Sequence, residues 1–125
     1  MIIIKYAFYI RPNDIHDVLN VLRDAGAKWT GFSAHEDFME EAEDVIRSHK
    51  YDKNGMAVYI SFRTNIISER KILVQYSSTE YLLNNAESVS NEGYNIVDNL
   101  YLIPELSVFI QYDELETNDT NFFDI

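Results

Sequence analysis

The first ten residues alternate large apolar side chains with mixed ones. An alternation with a period of two is typical of a β-strand, and here both faces carry enough apolar surface to be partly buried. The large apolar positions are Ile2, Ile4, Tyr6, Phe8 and Ile10. We therefore expect residues 2–10 to form a strand of a sheet.

A helical spacing of apolar residues follows the first strand. Pro12 precedes Asn13 and Asp14, either of which can cap a helix, and Gly26 stands where the helix would end. The apolar positions are Ile15, Val18, Leu19, Leu22 and Ala25. This spacing predicts a helix of about three turns.

A second helix is predicted after Trp29, which we expect to anchor the core or its rim. Ser33 and Glu36 have capping-box spacing, so the helix would begin at Ala34. Its apolar arc contains Phe38, Met39, Ala42, Val45 and Ile46. The rest of the helix is predicted to present six carboxylates to solvent, with Arg47 as the only base among them: Glu36, Asp37, Glu40, Glu41, Glu43 and Asp44. These charges would lie about 2 Å apart along the axis, comparable with the ~1.7 Å of duplex DNA.

Further strands are predicted later in the chain. Residues 56–62 and 71–77 are rich in β-branched and aromatic residues and should pair with each other, and a short capped helix is expected over residues 79–86. Residues 94–103 and 106–112 are predicted as two more strands, in a hairpin. The fold class is thus α+β, with a single domain over residues 1–112. We expect a mostly antiparallel sheet of about four to five strands, packed by two main helices and followed by an acidic tail over residues 113–125.

Charge is distributed very unevenly along the chain. The formal net charge is −11, and the last Lys or Arg is Lys71, so residues 72–125 carry ten acids and no base. Nucleic acids and anionic membranes bind through clustered cations, so direct binding to either is disfavoured and a basic protein partner is favoured. A role for the acidity in solubility alone stays open.

The sequence contains no recognisable catalytic motif. It has no Cys, its three His lack the HExxH spacing, and its four Gly form neither a phosphate-binding loop nor a nucleophile elbow. A convergent pair of carboxylates would have to come from separate elements, such as Asp98 and Asp113. We therefore expect a protein that is not an enzyme and needs no cofactor or metal. No apolar run approaches the ~18 residues of a membrane span, so we expect a soluble, cytoplasmic protein.

The last residues combine acids with an aromatic end, "NFFDI". The acids include Asp113, Glu114 and Glu116, and the aromatic residues are Phe122 and Phe123. This segment could dock on the protein's own core or serve as a short linear motif. It resembles the acidic tails with which single-stranded-DNA-binding proteins and sliding-clamp ligands recruit replication enzymes, although it lacks the Gln and the spacing of clamp motifs.

In its small size and strong acidity, the chain resembles two functional groups. One comprises phage-encoded inhibitors of bacterial defence systems, several of which mimic DNA, and the other comprises nuclease-neutralising immunity proteins. This resemblance implies a bacterial or phage-infected host cell and an inhibitor that occludes a basic, nucleic-acid-binding surface. The six helix carboxylates would be its main contacts, with Asp113, Glu114, Glu116, Phe122 and Phe123 contributing. The alternative is a replication or repair adaptor that recruits its partner through the tail. Tyr-rich strands also leave homo-oligomers open.

Overall fold

The computed structural model describes residues 2–31, 37–49, 54–65 and 69–106. The predicted α+β class is confirmed, because five strands form one sheet and helices pack on it. In chain order the elements are β1 (Ile2–Ile10), α1 (Ile15–Asp24), β2 (Lys28–Trp29), α2 (Phe38–His49), β3 (Met56–Asn65), β4 (Glu69–Ser77), α3 (Thr79–Asn84), α4 (Ala86–Asn91) and β5 (Tyr94–Ile96). Within these ranges, short 3-10 helices cover Pro12–Asp14 and Leu100–Leu102.

The sheet has the strand order β2-β4-β3-β1-β5. Its centre is antiparallel, since β3 pairs with both β1 and β4 in that sense. Both edges are parallel: β5 pairs with β1, and β2 pairs with β4. The sheet is therefore mixed, with its long strands antiparallel as predicted.

The segment after β5 does not continue as a strand. Only Tyr94–Ile96 pair with β1, and the chain then turns into the 3-10 helix at Leu100–Leu102. The side chain of Asn99 caps this helix by accepting a hydrogen bond of 2.9 Å from the amide of Tyr101. The prediction of a strand across residues 94–103 is thus correct only for its first three residues. Of the strand predicted over 106–112, Leu106 is helical and the remaining residues lie outside those described.

The main core lies between one face of the sheet and the α1–α2 layer. Even-numbered residues of β1 and β3 and the apolar arcs of α1 and α2 form this cluster. Trp29 is buried in it, as expected for a core anchor. Its ring stacks on Phe38 at 4.9 Å, and its Nε1 donates a hydrogen bond of 3.0 Å to the carbonyl of Phe38. This pair fixes the beginning of α2 against the sheet.

A smaller core lies on the second face of the sheet, beneath α3 and α4. It consists of Ala7, Ala57, Tyr59, Leu82 and Val89. The predicted cap of α3 is confirmed, because Ser78 Oγ accepts a hydrogen bond of 3.1 Å from the amide of Tyr81. The predicted single helix over 79–86 is instead two short helices separated by Asn85. They cover the half of this face that carries Ala7, Ala57 and Tyr59.

Candidate partner-binding surface

Helix α2 presents fewer carboxylates to solvent than its sequence predicts. Asp37, Glu40, Glu43 and Asp44 are exposed, but Glu41 is only 5% exposed. The prediction that all six acids face solvent is therefore wrong at Glu41. Glu36 and the predicted capping box with Ser33 lie outside the described residues.

A small rotation of the buried face of α2 accounts for the burial of Glu41. The buried positions are Phe38, Glu41, Ala42 and Val45, whereas Met39 and Ile46 are only partly buried. At 100° per residue, Glu41 lies about 60° from Phe38 on the side away from Met39, so the helix has turned toward Glu41. Four exposed acids over the roughly 10 Å from Asp37 to Asp44 give about one charge per 3 Å, less than in duplex DNA.

The exposed acids of α2 have structural partners as well. Asp37 Oδ1 accepts hydrogen bonds from the amides of Met39, at 2.8 Å, and Glu40, at 3.1 Å, so Asp37 caps the helix. Asp44 lies 3.5 Å from Arg47, one turn further along. Two of the four exposed acids of α2 therefore have partners within this helix.

A contact between His16 and Glu43 joins the outer surfaces of α1 and α2. The Nε2 of His16 lies 3.0 Å from the Oε1 of Glu43. Asp17, the residue after His16, is exposed, and Glu40 lies one turn before Glu43 on α2. Acids from the two helices therefore share one surface.

This surface continues into a pocket at the beginning of α1. The pocket has a volume of about 440 Å³ and lies between the end of β1, the first turns of α1 and the segment before Leu100–Leu102. It is lined by Phe8, Tyr9, Arg11 and Tyr101 and by three residues with carboxylate side chains: Asp14, Asp17 and Asp98. Tyr101 is 75% exposed and stands at the surface of the molecule.

We name the acids along this surface the acidic band, which comprises Asp98, Asp14, Asp17, Glu43 and Glu40. Asp14, one of the two residues predicted to cap α1, occupies the N-cap position, but its side chain makes no capping hydrogen bond. It lies instead 3.3 Å from Nε of Arg11, whose side chain is highly exposed. The band therefore draws its carboxylates from three separate segments.

The pocket is not predicted by the sequence, because residues 94–103 have the pattern of a strand. The signal was present in Asp98 and Asn99, since this residue pair after an apolar run is typical of a turn. A turn at these residues lies beside the acids at the start of α1 because β5 pairs with β1 in parallel. No local pattern reveals that pairing.

Most basic residues of the described chain lie away from the acidic band, but Arg11 pairs with Asp14 and lines the pocket. Arg11, Arg23 and Arg47 each lie within ion-pair distance of an aspartate of the helical layer. Four further bases have their side chains on the second face of the sheet, away from α1 and α2: Lys5, Lys28, Arg63 and Lys71. That side of the molecule also carries the exposed acids Glu80, Glu87 and Glu92, whereas the α1–α2 layer carries more acids than bases.

Within the described part of the chain, no group of three His, Asp or Glu side chains could hold a metal ion. None of the helices described there has the length and apolarity needed to cross a membrane. Comparison with protein-family models, curated proteins and solved structures gave no match to this chain. The tail residues Asp113, Glu114, Glu116, Phe122 and Phe123 lie outside the described residues, so their proposed contacts and the adaptor alternative stay predictions.

Proposed function

We propose that this protein is an acidic inhibitor that binds another protein and occludes its basic, nucleic-acid-binding surface. The observation that carries the proposal is the acidic band, in which three carboxylates surround a pocket and two more continue along α2. The partner is a basic protein, and nucleic acid and membranes are excluded from this surface by its charge.

The pocket suits the side chain of a lysine or arginine from the partner. Asp17 and Asp98 are exposed at the pocket and can accept charge-assisted hydrogen bonds, while the exposed ring of Tyr101 can contact a cation. Cation–π contacts contribute about 0.5–2 kcal/mol, depending on how far water is excluded. A buried arginine surrounded by such groups is typical of an interface hot spot.

The rest of the band would orient the partner before contact. Clefts and surfaces of one sign can raise association rates by ~10 to 10³-fold, and this effect falls as salt screens the charges. Binding should therefore be fast at low ionic strength and weaken at high ionic strength. The salt dependence should arise from the band and not from acids elsewhere on the molecule.

Helix α2 alone does not reproduce the charge spacing of DNA. The exposed charges of α2 are spaced more widely than phosphates, and Asp37 and Asp44 are partly committed to a cap and an ion pair. The negative surface is instead assembled from α1, α2 and the segment around Asp98. Inhibitors of bacterial defence systems and immunity proteins that neutralise nucleases are the functional groups into which such a protein would fit.

Two matched variants test this proposal. The band variant replaces three exposed acids of the α1–α2 layer: Asp17→Lys, Glu40→Lys and Glu43→Lys. The control variant makes the same change in net charge on the opposite layer, at the exposed acids of α3, α4 and the residue after α4: Glu80→Lys, Glu87→Lys and Glu92→Lys.

In affinity capture from the native cell, we expect the intact protein and the control variant to retain the same basic protein. The band variant should lose it, and salt should release it from the other two. Retention of that partner by the band variant would contradict the proposal, as would its loss from both variants. Circular dichroism of each variant shows whether the fold is kept.

A further inference from the structure

Asn54 and Gly55 form the turn that leads into β3. Asn54 is exposed, whereas Gly55 is buried and has a φ of +78°. An Asn-Gly pair is typical of a tight turn, because glycine adopts a positive φ without strain. The next residue, Met56, pairs with Ile10 at the end of β1. The turn is therefore anchored to the sheet on its C-terminal side, while the asparagine side chain is open to water.

The missing side chain of Gly55 has a structural and a chemical consequence. A Cβ added to Gly55 would overlap the carbonyl oxygen of Ile10, so the two main chains approach closely only because this residue is glycine. The backbone nitrogen of a glycine is also the least shielded of any residue. It can therefore reach the side-chain carbonyl carbon of a preceding asparagine. In the whole sequence, Asn54 is the only asparagine that precedes a glycine.

A second pocket contains Asn54. It has a volume of about 530 Å³ and lies between the end of β1, the turn before β3 and helix α3. Thr79, Glu80 and Arg11 are among the residues that line it. Arg11 also lines the pocket of the acidic band, where its Nε lies 3.3 Å from Asp14. Arg11 thus stands between the two pockets.

We propose that Asn54 is a modification site, at which the folded protein converts this asparagine into aspartate and isoaspartate. The backbone nitrogen of Gly55 attacks the side-chain carbonyl carbon of Asn54 and loses its proton, and the side-chain nitrogen leaves as ammonia. Water then opens the resulting succinimide at one of its two carbonyl carbons. Opening at the side-chain carbon gives aspartate, and opening at the main-chain carbon gives isoaspartate. The reaction consumes one water and changes no oxidation state.

Two features of the structure favour this reaction in the folded protein. The side chain of Asn54 is exposed, so it can rotate toward the nitrogen of Gly55, and water can reach the succinimide. Arg11 lines the same pocket, and its positive charge favours the negative charge that develops on the attacked carbonyl oxygen. Asn91 differs although it is exposed as well, because it ends helix α4 and precedes Glu92. The side chain of Glu92 shields the nitrogen that would have to attack.

The product would change the charge of the surface between the two pockets. Both forms add one carboxylate at residue 54, in the pocket that Arg11 and Glu80 line. This carboxylate attracts Arg11 and repels Glu80. A contact with residue 54 would draw Arg11 away from Asp14 and leave the acidic band more negative. The reaction itself needs no partner, so the inference does not depend on the proposed function.

Incubation of the full chain at neutral pH and physiological temperature tests the inference. Peptide mass spectrometry should show the change of mass from amide to acid at Asn54, with both isomers present. Isoaspartate identifies the succinimide route, because direct hydrolysis of the amide gives aspartate alone. Asn91 is the internal control, and its conversion should be at least ten-fold slower. Asn54→Gln should remove the conversion at this position, because the longer side chain forms its ring much more slowly.

Two results would overturn the inference. The first is an absence of isoaspartate at Asn54 in the folded protein, whether or not protein unfolded in urea accumulates it. Accumulation in urea alone would mean that the folded turn keeps Asn54 away from the nitrogen of Gly55. The second is an equal rate of conversion at Asn54 and Asn91, which would leave the turn without a role.

The expected contact between residue 54 and Arg11 is checked with Asn54→Asp, which supplies the product's charge in a homogeneous protein. Arg11→Gln should lower the midpoint of thermal unfolding more in this variant than in the intact chain, because it removes an additional ion pair. Equal effects of Arg11→Gln in the two proteins would mean that Arg11 stays with Asp14, and would overturn the expected change in the acidic band.

Discussion

Tyr6 donates a hydrogen bond of 2.6 Å to the Oε2 of Glu105, 99 positions further along the chain. The contact joins the middle of β1 to the segment that follows Leu100–Leu102, and so fixes the wall of the pocket that contains Asp98. Burial, the hydrogen bond to Glu105 and the charge of that carboxylate raise the pKa of Tyr6 to about 12. The folded protein therefore holds the phenol proton more tightly than the unfolded chain does.

This contact predicts a loss of stability in alkaline solution. The pKa of Tyr6 is higher in the folded state than the value of about 10 in an unfolded chain, so its contribution is complete below pH ~10 and is lost as the pH rises toward ~12. Tyr6→Phe should lower the free energy of unfolding by about 1–3 kcal/mol at neutral pH. Urea unfolding at several pH values should show the difference between the two proteins shrinking above pH ~10. A constant difference would contradict the assignment.

Adjacent leucines on α3 test whether this helix is packed on the sheet. Leu82 is fully buried in the smaller core, whereas Leu83 is 67% exposed. Leu82→Ala should lower the free energy of unfolding by about 2–5 kcal/mol, because it removes buried methyl groups and leaves a cavity. Leu83→Ala should change it by no more than about 0.5 kcal/mol. Equal effects in denaturant titrations would mean that α3 is not docked as described.

Gly55 permits a close approach between the turn before β3 and the end of β1. Its φ is +78°, and an added Cβ would overlap the carbonyl oxygen of Ile10. Gly55→Ala should therefore cost about 3 kcal/mol or more, since both backbone strain and overlap oppose it. Gly26→Ala is the control, because Gly26 has a similar φ of +88° but nothing within 4 Å of the added atom. Its cost should be about 1 kcal/mol, and thermal unfolding of both variants compares the two.

The single tryptophan reports on the attachment of α2. Trp29→Phe removes the hydrogen bond to the carbonyl of Phe38 and reduces the stacked area, so it should lower the free energy of unfolding by about 1–3 kcal/mol. In the intact protein, the fluorescence emission of Trp29 should be at short wavelength and shift to longer wavelength on unfolding. Emission typical of exposed tryptophan in the native protein would contradict the buried stack.

Patterns confined to one element were predicted well from the sequence. The alternation over residues 2–10 and the helical spacing that begins at Ile15 match β1 and α1, and Ser78 caps α3 as expected. These features depend on periods and caps that involve residues close in sequence. The pairing of β3 with β4 was predicted as well, whereas the pairing of β1 with β3 was not.

Features that depend on distant segments were missed. Glu41 is buried because the buried face of α2 is rotated slightly toward it. The spacing of apolar residues in the helix places Glu41 just outside that face. The short parallel strand β5 and the pocket beside Asp98 both require the strand register. Lys28, Arg63 and Lys71 are widely separated in sequence, and only the register places them on one surface.

Displacement of nucleic acid from the captured partner tests the central claim most directly. A labelled oligonucleotide bound to that partner should be released by a stoichiometric amount of the intact protein or of the control variant, but the band variant should require at least ten-fold more. This outcome would assign occlusion to the carboxylates around the pocket and on α2. Equal displacement by both variants, or a stable complex of partner, oligonucleotide and intact protein, would contradict the account.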